Sequence, residues 1–266
     1  VIVTGAGRAF VAGADVKEFL AKPGDAIATL ASKNIAVFSE LENLSVPVIA
    51  VVDGFALGGG NELAMSAHYR IVTENASLGQ PEVKLGIIPG YGGMQRLPRL
   101  VGPWKAAGMC INGEPVDGYD AVAIGLADEF QPSSIALDRA VRLAQEVLSG
   151  RKTLARRDWD GASAGQKDAL ERLFGLPEIK EILGVPPPDA AGARDLRTAR
   201  LAAAKTALLS MRYGYDNGYS AGLENDARAF GEAVTSPGGQ EWVRRFLDKD
   251  PRQSSFLTLL KLPEAP

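Results

Sequence analysis

Two glutamates, Glu62 and Glu82, stand 20 positions apart, and each adjoins a glycine-rich stretch. Gly58-Gly59-Gly60 precedes the first, with only Asn61 between them. The second lies in a Gly- and Pro-rich run over 78–93 that is too apolar for a solvated linker and reads as an ordered, partly buried loop. Glycines leave main-chain N–H groups unobstructed, and the first amides of a helix, with the positive end of its dipole, attract negative charge. A reaction that needs exposed amides and two acids has an oxyanion to stabilise and two proton positions to manage. Hydration of a double bond conjugated to a carbonyl has those needs. One acid deprotonates a water, the other protonates the α-carbon, and an enolate rests on the amides. Taken singly, the signals are weak. A glutamate is most often a solvated surface residue, and the triple glycine fits a plain strand-to-helix turn equally well.

The elements that must position these groups are legible on either side. Residues 47–52 form a short apolar, β-branched run that reads as a buried parallel strand, and 62–67 are mostly helix formers. Ahead of them, residues 1–4 read as a strand running into Gly5-Ala6-Gly7, a lone Gly-x-Gly that lacks the third glycine of a dinucleotide fingerprint. Small residues at Ala12, Gly13 and Ala14, with a polar helix start at Asp15, let another main-chain N–H approach a ligand, although a plain loop entering a helix has the same pattern. Helical spacing covers 26–43, residues 69–73 read as a further strand, and the alternation predicts parallel βαβ units. Helices are predicted over 94–101, 103–110, 117–124 and 134–149, with a short extended piece at 127–130. Residues 151–200 mix charges with Gly, Ala and Pro186-Pro187-Pro188, a stiff break between helices. From about 189 to 247 the pattern is helical again, broken near Gly214–Gly222 and at Ser236-Pro237-Gly238-Gly239.

Composition bounds the rest. A chain of 266 residues, 46% apolar, can bury one large core, and its net charge of −3 argues against nucleic-acid or membrane-surface binding as the main role. A single cysteine, Cys110, excludes an intrachain disulfide and a thiolate cluster. A single histidine, His68, excludes multi-His zinc sites, so no metal site is expected. There is no apolar run long enough to span a membrane and no signal-peptide pattern.

Several segments in register resemble the enoyl-CoA hydratase/isomerase (crotonase) family over nearly the whole chain. They are Ala12-Gly13-Ala14-Asp15, Pro47-Val48-Ile49-Ala50, Gly54-Phe-Ala-Leu-Gly-Gly-Gly-Asn-Glu-Leu-Ala64 and Gly79-Gln-Pro-Glu-Val-Lys-Leu-Gly-Ile-Ile-Pro-Gly90. Gly92-Gly93 with Gln95-Arg-Leu-Pro-Arg99 continues the match. The resemblance implies an α/β fold: a spiral of repeated ββα units over 1–150, a variable segment over 151–200, and a C-terminal helical trimerisation region over 201–266. It implies an enzyme of the hydro-lyase type acting on an enoyl-CoA thioester, with Glu62 and Glu82 as the acids and the Ala14 and Gly59 amides as the oxyanion hole. Which glutamate is base and which is acid stays open. Ala12, Asp15, Gly58, Pro89, Gly90, Tyr91 and Lys249 become substrate- or CoA-binding candidates, Lys249 for a CoA phosphate, although a solvated helix-end lysine fits as well. No cofactor is implied, coenzyme A being part of the substrate. The expected partner is the acyl-CoA, with a homotrimer or dimer of trimers as the assembly and the cytoplasm as the location.

Departures from the pattern refine these expectations. Relatives carry further chain with two strands ahead of Val1, so a truncated start is expected, one that would hide any targeting signal. Tyr91 and Met94 stand where small residues and Thr are common, and are expected to reshape the acyl pocket. His68 follows Glu62 by six residues and is read as a structural hydrogen-bonding residue. Segment 151–200 either covers the active site or decorates the surface. Isomerase, cyclic-enoyl-CoA hydratase and thioester hydrolase activities are the alternatives within the fold, and a non-catalytic binding module lies outside them. Gly218-Tyr219-Ser220-Ala221-Gly222 spells a hydrolase nucleophile motif, but it has no preceding strand and no later His, and is read as a chance match.

Overall fold

The computed structural model describes residues 1–187, 195–249 and 262. Three times the chain lays down two short strands and then a helical or turn segment. The first round is β1 (Ile2–Thr4), β2 (Ala9–Val11), α1 (Lys17–Ala21) and α2 (Gly24–Asn43). The second is β3 (Ile49–Val52), β4 (Phe55–Leu57) and α3 (Gly59–Ser66). The third is β5 (Tyr69–Val72) and β6 (Ser77–Gly79), followed by a 3₁₀ turn at Glu82–Leu85, α4 (Gly93–Val101) and α5 (Pro103–Asn112). Then follow β7 (Val116–Asp117), α6 (Gly118–Ala123), β8 (Glu129–Phe130) and α7 (Ser133–Leu148).

The first strand of each round joins one parallel sheet, in the order β1-β3-β5-β8, with Ile49 opposite Ile2 and Tyr69. The second strand joins another, β2-β4-β6-β7, in which only β7 runs antiparallel. This is the expected ββα spiral. Asp53, at the corner between β3 and β4, accepts hydrogen bonds from Thr73, Asn75 and Ser133, which ties it to the next corner and to α7. Strand β3 is buried on both faces: Ala50 and Val52 face the main core, while Ile49 and Val51 pack with Ala136, Ala140 and Leu143 of α7. Burial on both sides is why its sequence reads as an unbroken apolar run.

Helices α8 (Ala164–Gly175) and α9 (Pro177–Gly184) occupy the segment of mixed composition. The C-terminal layer is α10 (Leu196–Asn217), α11 (Tyr219–Thr235) and α12 (Pro237–Leu247). The break expected across Gly214–Gly222 is confined to Gly218, which has a φ of +96°. Gly214 and Gly222 sit inside α10 and α11 because the Gln95 side chain occupies the space a Cβ would need. Pro186 and Pro187 follow α9 as expected, whereas Pro188 and the start of the predicted helical region at 189–194 lie outside the described residues. So does most of the C-terminal end, 250–261 and 263–266. Among the described residues no helix is long and apolar enough to cross a membrane.

Candidate functional site

The C-terminal ends of β2 and β4 converge on the start of α3. Gly60 makes this possible, because any Cβ there would overlap the Val11 carbonyl. The segment after β2 therefore runs directly past the first turn of α3, and Ala14 and Gly59 line one cavity of about 730 Å³. Neither amide has an acceptor within the protein among the described residues. The Gly58 amide, by contrast, is committed to the Gly79 carbonyl at 2.9 Å.

Glu62 occupies the first turn of α3 and is 1% exposed. Its Oε1 accepts hydrogen bonds from the main-chain amides of Tyr91 at 2.8 Å and Gly93 at 2.7 Å. Gly93 opens α4, so one carboxylate oxygen sits at the positive end of that helix while the carboxyl group still lines the cavity. Arg96 fixes the turn that supplies these amides. Its guanidinium donates to the Tyr91 carbonyl at 2.6 Å and pairs with Glu42 at 2.5 Å, fully buried. Burial pushes the Glu62 carboxyl up to about 7, against the opposing pull of the Tyr91 and Gly93 amides and the Arg96 charge.

Glu82 reaches the same cavity from the 3₁₀ turn and lies against Gly58, where a Cβ would stand 2.7 Å from its Oε1. Gly58 holds a φ of +54°, so glycine there serves both conformation and space. Oriented to satisfy both its ends, the Gln80 amide donates to the two Glu82 oxygens at 3.1 and 3.2 Å. Burial first, and then the nearby Glu62 charge, hold the Glu82 carboxyl well above the usual carboxylate range. Of the two acids Glu62 has the stronger anion-stabilising set. Near neutrality the arrangement favours an ionised Glu62 beside a protonated Glu82.

The other sequence candidates divide. Ala12, Gly58, Gly90, Tyr91 and Lys249 line the cavity. Asp15 and Pro89 do not. The Asp15 side chain is exposed and accepts from the Lys17 amide at the start of α1, while Pro89 is buried against Gly93. Met94 is likewise fully buried in α4 and not in the cavity wall, because it faces inward from the helix rather than from the turn before it. Sequence reasoning missed Phe19 of α1, Phe230 of α11, Lys84 of the 3₁₀ turn, and Phe246 and Leu247 at the end of α12. No local motif marks the four on helices, which reach the wall through packing between distant helices. Lys84, by contrast, lies two residues after Glu82 inside the Gly79–Gly90 segment, a signal that could have found it. None of the described residues in 151–200 lines the cavity; α8 packs on α5, and Trp159 stacks on Tyr219 at 5.4 Å, so the described part of this segment lies outside the site.

His68 accepts the Val48 amide through Nδ1 at 3.0 Å, the structural role expected of it. The neutral ring then carries its proton on Nε2 and has no lone pair left to accept one from Ser220. Ser220 itself stands in the first turn of α11, with no strand before it. Among the described residues no group of three His, Cys, Asp or Glu side chains is placed to hold a metal ion.

Residues 1–174 match the family model described as enoyl-CoA hydratase/isomerase. The chain is 34% identical over 250 residues to a probable enoyl-CoA hydratase of Bacillus subtilis, covering 94% of this chain and 78% of that one. It is 36% identical over 242 residues to the fatty acid oxidation complex subunit alpha of Shewanella amazonensis, covering 89% of this chain. It spans only 32% of that subunit's length. In fold it is similar to the crystal structure of an enoyl-CoA hydratase from Rhodobacter sphaeroides, at TM-score 0.67 and 24% identity, covering 94% of this chain and 76% of the other.

Proposed function

The chain belongs to the enoyl-CoA hydratase/isomerase family, and from that premise we propose that it adds water across the 2,3-double bond of an enoyl-CoA thioester. The observation that carries this reading is a single cavity that holds two buried carboxyl groups, both titrating above the usual carboxylate range, and two uncommitted main-chain amides. The thioester carbonyl oxygen rests on the Ala14 and Gly59 N–H groups. Ionised Glu62, steadied through Oε1, takes a proton from water as the water oxygen bonds to C3 of the acyl group. Electron density moves onto the carbonyl oxygen, where the amides stabilise the enolate. Glu82 then gives its proton to C2. The product is a 3-hydroxyacyl thioester, with Glu62 protonated and Glu82 ionised, and a proton exchange through solvent resets the pair.

Coenzyme A enters as part of the substrate, and the steps above call on no metal or redox group. Lys249, in the cavity wall, is the residue proposed to meet a CoA phosphate. A homotrimer, or a pair of trimers, is the assembly that the family likeness supports, and light scattering on the eluted protein reads it directly.

Loss of the conjugated enoyl-thioester absorbance with crotonyl-CoA is the test. Turnover is expected in the parent and is expected to fall by ~10²–10⁴-fold in Glu62→Gln and in Glu82→Gln, each folded. Turnover indifferent to both substitutions refutes the two-acid mechanism. Absorbance loss accompanied by an equivalent release of free CoA assigns the site to thioester hydrolysis instead, since hydration leaves the thioester intact.

A further inference from the structure

We propose that the Tyr91 ring is the end wall of the acyl part of this cavity and restricts it to short acyl groups. The inference rests on the hydratase reading and names the substrate range of the same site. Tyr91 contributes to the site twice, by separate atoms. Its main-chain amide holds Glu62, while its ring lies across Gly59, with Cδ2 and Cε2 3.0 and 3.1 Å from where a Cβ on that glycine would stand. A substrate whose carbonyl oxygen sits on the Gly59 amide, and whose C3 faces Glu62, therefore starts its acyl tail beside this ring.

The ring is held from several sides. It meets Phe230 edge-on at 5.9 Å and Phe38 edge-on at 6.3 Å. Its ring carbons lie against Gly59, so ring carbon faces the acyl space. Only 8% of Tyr91 is exposed. Behind it Asn34 and Phe38 are half-buried on α2, and the adjacent Val37 is exposed. A ring anchored by these contacts is a fixed stop, since moving it breaks both aromatic contacts together.

The experiment compares kcat/KM for crotonyl-CoA and trans-2-decenoyl-CoA in the parent, Y91L and Y91F. The parent is expected to favour the short substrate. Y91L is expected to shift the long-to-short ratio upward by about tenfold or more, the discrimination that even a single methylene commands in an apolar pocket. Y91F keeps the ring and is expected to keep the parent ratio. A ratio unchanged in Y91L overturns the proposal, and so does a Y91F that shifts as far as Y91L. Calorimetric binding of saturated butanoyl-CoA and decanoyl-CoA gives the same ratio without turnover. Length-dependent binding that Y91L relaxes, in a protein with no hydratase turnover, refutes the hydratase reading and leaves the stop standing. Absence of binding to either overturns both.

Discussion

Glu62 and Asp226 make an instructive pair. Each is fully buried, and burial lifts each carboxyl to about 7. Their surroundings differ in one respect. Glu62 is gripped by two amides on one oxygen and lines the cavity. Asp226, on α11, accepts from Ser210 at 2.6 Å and Gln95 at 2.9 Å and does not line this cavity. Its Oδ1 is part of a latch between α4, α10 and α11, and its Oδ2 has no partner. A raised pKa therefore does not by itself locate chemistry. Access to a space where a substrate fits does.

The contrast breaks most easily in turnover. If access decides, Asp226→Asn keeps most of the parent's crotonyl-CoA hydration under conditions where Glu62→Gln loses ~10²–10⁴-fold. Equal losses in the two variants abolish the distinction.

The next largest effect is on stability. The folded chain keeps the Asp226 proton up to about 7, while the unfolded chain loses it near the ordinary value of 3.8. The folded state thus binds more protons across that interval, and stability declines as pH rises from about 4 to about 7. A carboxamide at this position is neutral throughout, so Asp226→Asn should gain on the parent over the same interval, by on the order of 4 kcal/mol at most. Urea unfolding at pH 5 and pH 7.5 measures it, and a constant difference between the two proteins refutes it.

A smaller effect sharpens the Glu62 side. Hydration needs Glu62 ionised, so kcat/KM should rise with pH through about 7. Arg96 lowers that value by its charge and holds the Tyr91 carbonyl. Arg96→Gln should move the acidic limb upward, and Arg96→Lys, which keeps the charge, should move it less. An unmoved limb in Arg96→Gln removes Arg96 from the account. The smallest expected effect is none: Ser220→Ala should leave turnover unchanged, and fluorophosphonate labelling of Ser220 in the parent would contradict the reading of His68 as a structural acceptor.

The sequence by itself determined the strand–glycine–helix join, the acid four residues into the helix, and the second acid in its Gly/Pro-rich turn. Those features are local: backbone conformation at Gly58, close approach at Gly60 and the apolar run of β3 each leave a direct mark on residue type. The local marks predicted one strand per round in βαβ alternation, and the two-strand-plus-helix repeat came from the family likeness alone. Tertiary structure decided which candidates meet. Asp15 and Pro89 belong to matching motifs yet do not line the cavity, while Phe19, Phe230 and Phe246 enter it from helices remote in sequence from both glutamates. Gly214 and Gly222 look like helix breaks in one dimension, but they make room for Gln95 in three. Packing between remote segments depends on total shape and volume, and no short stretch of sequence carries that information. The same holds for the charge states. Glu62 and Asp226 are ordinary acids in the sequence, and only the removal of water around them, with amides and a cavity on one side and a closed latch on the other, separates a reacting group from a structural one.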